Sequence, residues 1–229
     1  MTPTHTRTAA LSALALGSAL PLAAASAGTF AGIAIDGDFG DWDAVPVAVT
    51  DPVDGTPIDY ASLKVANDAE NLYVLVTYAA ATNPQGGSGN FTVIDSDGDV
   101  STGFDPFGLG VIGSNAAFQN DFPFTQTAGN FNSGGTLTAA GPLYTASPYN
   151  AVTLQQEIAY PLSTVSADAS AGGFNGPVFG GSFSIGFFTD QGSGDIVVTP
   201  YDVAAVPEPA SLALLGLGAT ALLGRRRTR

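Results

Sequence analysis

The sequence predicts an all-β protein, an antiparallel β-sandwich or jelly roll, and three observations carry that expectation. Short runs rich in β-branched and aromatic residues alternate with Gly, Pro, Asn and Asp turns. No stretch of the central region sustains a helical period. The runs also recur at the close spacing of short, turn-linked strands. In chain order they are Gly32–Ile35, Val45–Thr50, Ser62–Ala66, Leu72–Ala79, Asn90–Ile94, Leu109–Ile112, Ala117–Phe122, Thr136–Thr138, Thr153–Tyr160, Gly181–Thr189 and Ile196–Tyr201. Leu72 to Tyr78 is the clearest, being mostly β-branched or aromatic, and Phe183 to Phe188 is built alike. Thr82–Gly89, Gly129–Gly135 and Ser166–Gly176 read as surface loops or hairpin tips, and no internal repeat is present.

Both ends read as targeting sequence. Met1 to Thr8 is polar with Arg7 as its full positive charge, Ala9 to Ala24 is apolar, and Ala25-Ser26-Ala27 offers signal peptidase a site before Gly28. Residues 1–27 are therefore expected to be a cleaved, helical signal peptide. At the other end Val206-Pro207-Glu208-Pro209 precedes an apolar run over residues 210–224, closed by Arg225, Arg226, Arg227 and Arg229. The run falls short of the ~20 residues of a comfortable span but suits a thinned or adapted bilayer. It is expected to be a helix that anchors the chain transiently in the inner membrane, arginines on the cytoplasmic side. Two prolines keep the motif extended and open to an enzyme on the far side.

Motif, apolar run and arginines, in that order, resemble the PEP-CTERM sorting signal of Gram-negative bacteria. The resemblance implies that a membrane-embedded exosortase recognises Val206, Pro207, Glu208 and Pro209 and removes the apolar run and arginine tail. It implies delivery to the cell surface or the extracellular matrix, in cells that make exopolysaccharide. The chain divides into a signal peptide (1–27), one domain (28–205) and a sorting segment (206–229).

Removing the ends changes the charge. Arg7 and the four terminal arginines leave with them, and of the twenty acids only Glu208 does. Residues 28–205 keep nineteen acids against Lys64 alone, a net charge of about −18. Such a field repels nucleic acid and anionic lipid and attracts divalent cations. Cysteine is absent, and the single histidine, His5, lies in the signal. Ser-His-Asp and Cys-His catalysis, disulfides and His-ligated metals are thereby excluded from the exported part.

Four phrases resemble the CBM9-like, DOMON-related carbohydrate-binding β-sandwiches. They are Ile35-Asp36-Gly37-Asp38-Phe39-Gly40-Asp41-Trp42, Asn67-Asp68-Ala69-Glu70-Asn71-Leu72-Tyr73, Ile94-Asp95-Ser96-Asp97-Gly98-Asp99-Val100-Ser101-Thr102-Gly103, and Glu157-Ile158-Ala159-Tyr160-Pro161-Leu162-Ser163. They stand in family order across most of residues 33–202, which implies the same sandwich and polysaccharide as a partner.

Asp95, Asp97, Asp99 and Asp105 form the candidate metal site. Alternate aspartates in a turn can aim several oxygens inward, as Ca²⁺ requires, although Pro106 stands where an EF-hand has its glutamate. The competing reading is a turn whose carboxylates cap backbone N–H groups. Trp42, amid Asp36, Asp38, Asp41 and Asp43, is either a sugar-stacking platform or a plug closing the sandwich; the resemblance favours the plug. Tyr144, Tyr149, Phe118, Phe122, Phe124 and Phe131 are further platforms if exposed and core if buried. No catalytic motif is present, so no catalytic residue is assigned; Glu70 and Glu157 are the glutamates a hydrolase would draw on. The expectation is an exported, noncatalytic surface or matrix protein that binds polysaccharide through a calcium-stabilised sandwich. The alternatives are a structural or adhesive protein without a specific ligand, and a carbohydrate-active hydrolase.

Overall fold

The computed structural model describes residues 28–86, 89–127 and 130–208. The signal peptide and the helix expected over 210–224 lie outside the described residues. Between them run β1 (Val47–Thr50), β2 (Tyr60–Asn67), β3 (Asn71–Thr82), β4 (Phe91–Asp95), β5 (Ala116–Gln119), β6 (Phe122–Thr127), β7 (Asn130–Gly134), β8 (Thr136–Thr138), β9 (Thr145–Ser147), β10 (Thr153–Pro161), β11 (Val165–Ala167), β12 (Asn175–Pro177), β13 (Ser182–Thr189) and β14 (Asp195–Asp202). Two main sheets face each other, with strand orders β1-β2-β3-β10-β9 and β14-β13-β4-β5-β6-β7, and β12-β11-β8 forms a third, small sheet. Every ladder between these strands is antiparallel. The all-β sandwich read from the sequence is the fold.

Alternation along each strand explains the layers. In β3, Leu72, Val74, Val76 and Tyr78 point inward and meet Ile94, Phe118, Ile185 and Phe187 from the opposite sheet. Tyr73 and Leu75 point the other way, yet they too are buried, under Ile33, Trp42 and Val45. The segment before β1 thus straps the outer face of the five-stranded sheet. On the six-stranded sheet, Phe91, Val93, Ala117, Phe124 and Phe188 point outward into a second satellite cluster with Ile112, Phe104 and Phe131. Residues 96–115 strap that face. With both faces of each sheet covered, β3 and β4 become nearly continuous buried runs.

Five expectations need correction. Gly32–Ile35 and Leu109–Ile112 are not strands: both are strap, carrying Ile33 and Ile112 onto an outer sheet face. In the first, the backbone donors of Ala34 and Asp36 go to the side chains of Asp41 and Glu157 instead of to a ladder. In the second, Gly108 and Gly110 take φ of 68° and 66°, left-handed turns that break the extended path a strand needs. Ala117–Phe122 is two strands, broken where Asn120 takes φ 55° to turn the β5–β6 hairpin. Gly129–Gly135 contains β7, and Ser166–Gly176 contains parts of β11 and β12. These Asn/Gly/Ser-rich strands carry little β-propensity of their own and are held by their neighbours' ladders. Phe131 anchors β7 against Phe91, Phe124 and Phe188.

Candidate functional site

The Asp95–Asp105 loop follows β4. Asp95 is buried, and its Oδ1 accepts from the Gly98 amide at 2.7 Å. Burial, with the neighbouring Asp97 carboxylate, raises the Asp95 carboxyl above its ordinary value. Asp97 accepts from the Asp99 amide at 3.0 Å and from the Thr102 hydroxyl at 2.9 Å. Asp99 turns to the Ser101 amide and hydroxyl at 3.0 and 2.6 Å, and Asp105 takes the Gly110 amide at 2.9 Å. Asp95 and Asp97 are therefore side by side, while Asp99 and Asp105 face their own local donors. The loop closes through paired Phe104–Ser114 backbone bonds of 2.7 and 2.8 Å. Gly103 makes that closure possible: it takes φ 70°, and a Cβ there would lie 2.2 Å from the Ser114 carbonyl oxygen.

Trp42 is the plug. It is 1% exposed, and its Nε1 donates to Glu157 Oε2 at 3.2 Å. Glu157 Oε1 accepts from the amides of Asp36 and Gly37 at 2.7 and 2.6 Å, so this fully buried carboxylate pins the first strap to β10. Glu70 lies exposed in the β2–β3 turn, and the shallow cleft it lines with Asn71 and Pro161 carries no second acid. Among the proposed platforms, Phe118 and Phe124 are buried, Tyr144 and Phe131 pack against the clusters, and Phe122 and Tyr149 are exposed.

The structure adds a groove that sequence reasoning missed. It runs along β14, where the edges of the two main sheets, β1 and β14, meet. Two adjoining clefts of about 460 and 390 Å³ share Asp51 and Ile196 and together form it. One wall is Phe107, Leu109 and Val111 of the second strap, each about half exposed. The alternate residues Gly108 and Gly110 let these three side chains line one side. Phe107 itself has φ 60°, a left-handed backbone that costs a bulky residue about 1–2 kcal/mol. Its ring stands edge-on to Phe188 at 5.8 Å.

Beside this groove four carboxylates converge, of which Asp51, Asp54 and Asp195 line it. Oxygens of Asp54, Asp59 and Asp195 lie within 4.8 Å of one another; among the described residues no other such trio of His, Cys, Asp or Glu occurs. Asp59 Oδ2 takes the Asp54 and Gly55 amides at 3.2 and 2.6 Å. Asp195 takes the Tyr60 amide on Oδ2 and its neighbour Ile196's amide on Oδ1, at 2.8 and 2.7 Å. Partial burial, then the charges of Asp195, Asp54 and Asp59, push the Asp51 carboxyl up to about 6. Asp51, Asp54 and Asp59 sit in one Pro/Gly-rich connection, a signal visible in the sequence, but Asp195 joins them only through the fold.

Val206, Pro207 and Glu208 are exposed and outside any strand, as an enzyme-accessible motif requires; Pro209 lies outside the described residues. A family model, the PEP-CTERM protein-sorting motif, matches residues 205–227. The chain ends in a PEP-CTERM motif. That motif marks an exported protein sorted at the membrane to the cell surface. No curated protein matches the chain in sequence. Two solved structures resemble it, both of a carbohydrate binding module family 9 (CBM9) from Caldicellulosiruptor kristjanssonii, one with cellotriose and one with glucose. Each is 13% identical. The first covers 79% of this chain and 94% of the module with a TM-score of 0.40, the second 80% and 96% with 0.37. At that distance neither ligand transfers to this chain.

Proposed function

We propose that this chain is a noncatalytic surface or matrix protein that exosortase releases from its membrane tail, and that its groove along β14 holds a neutral polysaccharide. The observation that carries this reading is Phe107: a half-exposed aromatic ring, held in a strained backbone, lines an open groove together with Asp51, Asp54 and Asp195. Strain of this kind persists where the surroundings over-determine a geometry, and it clusters at ligand sites. An aromatic face packs on the C–H face of a sugar ring, and carboxylate oxygens accept from its hydroxyls. A groove built of two adjoining clefts has room for more than one sugar ring, which suits a polymer. The acidic charge of the domain selects against anionic chains, hence the neutral polysaccharide.

The hydrogen bonds of Asp95, Asp97, Asp99 and Asp105 favour turn capping over the calcium site expected there. A cation at that loop would rest on Asp95 and Asp97, and D97N is the variant that tests it. Glu157, with both oxygens occupied by structural donors, is poorly placed for acid catalysis, which supports the noncatalytic reading over the hydrolase. A glycan array on the full chain should show binding to neutral polysaccharides that falls at least tenfold in F107A and is unchanged in F122A. Equal binding by F107A and the unaltered chain would sink the groove.

A further inference from the structure

Asp59 is 5% exposed, and its Oδ1 has no hydrogen-bond partner. A buried carboxylate oxygen left unpaired is costly, and more so beside two other acids. Protein cations cannot answer it: Lys64 is the single basic residue among those described, and its Nζ donates to the Trp42 carbonyl oxygen at 2.8 Å, under the first strap. A carboxylate trio with an unsatisfied buried oxygen and no basic neighbour has the composition of a site for an external cation.

We infer that Asp54, Asp59 and Asp195 bind a Ca²⁺ ion at the base of the groove. Ca²⁺ holds oxygens at about 2.3–2.6 Å, so two ligands on opposite sides of it stand about 4.6–5.2 Å apart. The three carboxylates already meet that limit, within 4.8 Å. The donors are all hard oxygens, with no sulfur or imidazole to select zinc or copper. Magnesium is disfavoured because it demands a tighter octahedron and sheds its waters reluctantly. Exposed Asp54 and the open cleft leave room for water, which completes the shell.

The site also has a structural consequence. Asp54 and Asp59 precede β2 of one sheet, and Asp195 begins β14 of the other. A bound ion ties the two sheets at the edge where the groove opens. The site shares Asp54 and Asp195 with the proposed polysaccharide groove, but the two readings are tested apart, since F107A removes the sugar platform and leaves all three ligands in place.

The test is calorimetric titration of the full chain, stripped with a chelator, with calcium chloride alone and with magnesium chloride as comparison. One Ca²⁺ per chain is expected, with a rise of about 5 °C or more in Tm at saturation. D54N and D59N should each weaken binding at least tenfold, and D97N should titrate like the unaltered chain. Should D59N fail to fold, D54N decides alone, because that side chain is exposed and asparagine can still accept from the Thr56 amide. No binding at millimolar Ca²⁺, or unchanged binding in D54N, overturns the site.

Discussion

At the scale of single residues, Asp68 and Tyr73 show how one bond sets stability at both ends of the pH range. The Tyr73 hydroxyl donates to Asp68 Oδ2 at 2.6 Å, and the Glu70 and Asn71 amides donate to Oδ1 at 2.8 and 2.7 Å. Burial opposes the charge, but these donors outweigh it and hold the Asp68 carboxyl below its ordinary value. A lowered carboxyl adds stability that is complete above the usual carboxylate range and is lost as pH falls through the folded value. Burial, then Asp68, pushes the Tyr73 hydroxyl up to about 12. That share is complete below the ordinary tyrosine value and is lost as pH rises through about 12. Y73F should therefore cost about 1 kcal/mol at neutral pH and flatten both limbs of a urea-denaturation pH profile. Undiminished limbs would mean that the bond contributes nothing. Phe107 makes the companion case. F107G relieves the left-handed strain while losing the ring, so its stability should change by less than about 1 kcal/mol even as polysaccharide binding is lost. The Asp68 turn is legible as an Asn-Asp phrase before a strand; the strain at Phe107 is not, because nothing in a Pro-Phe-Gly triplet specifies φ.

At the scale of elements, the two straps are what the sequence concealed. Runs of apolar, β-branched and aromatic residues in β3, β10 and β13 gave their strands away, and the core follows from them. Ile33 and Ile112 sit in runs that look equally strand-like, but they cover sheets instead of extending them. Local alternation cannot distinguish an apolar residue in a ladder from one lying across it. Glu157 holds the first strap by three donors, and replacing it with glutamine would set an N–H against one of them. E157Q should cost about 1–3 kcal/mol. Trp42, the chain's lone tryptophan, reports the loss directly through fluorescence in a denaturant titration. An unchanged midpoint would show that the strap is held by its apolar contacts alone. The groove was hidden for a related reason: its walls come from a strap and a β1–β2 connection, and its floor from β14 of the other sheet, so only the packing of one sheet's edge on the other brings them together.

At the scale of the molecule, a basic sorting motif follows an acidic β-sandwich. The tail was readable because its function lies in the order of short linear features, a property of sequence and not of fold. Its arginines mask the charge of residues 28–205, in which Lys64 is the lone basic residue against nineteen acids. Loss of the Pro-Glu-Pro should keep the tail on the chain, which intact-mass measurement of the surface fraction reads as retention of the residues after the motif. The central claim, polysaccharide in the groove along β14, is tested most directly by hydrogen–deuterium exchange of the full chain with and without the producing cells' neutral polysaccharide. The account predicts slowed exchange at residues 51–55 and 105–111, with residues 120–122 unaffected. Protection confined to residues 120–122 and 149–152, or none at any site while the polysaccharide is bound, would contradict it.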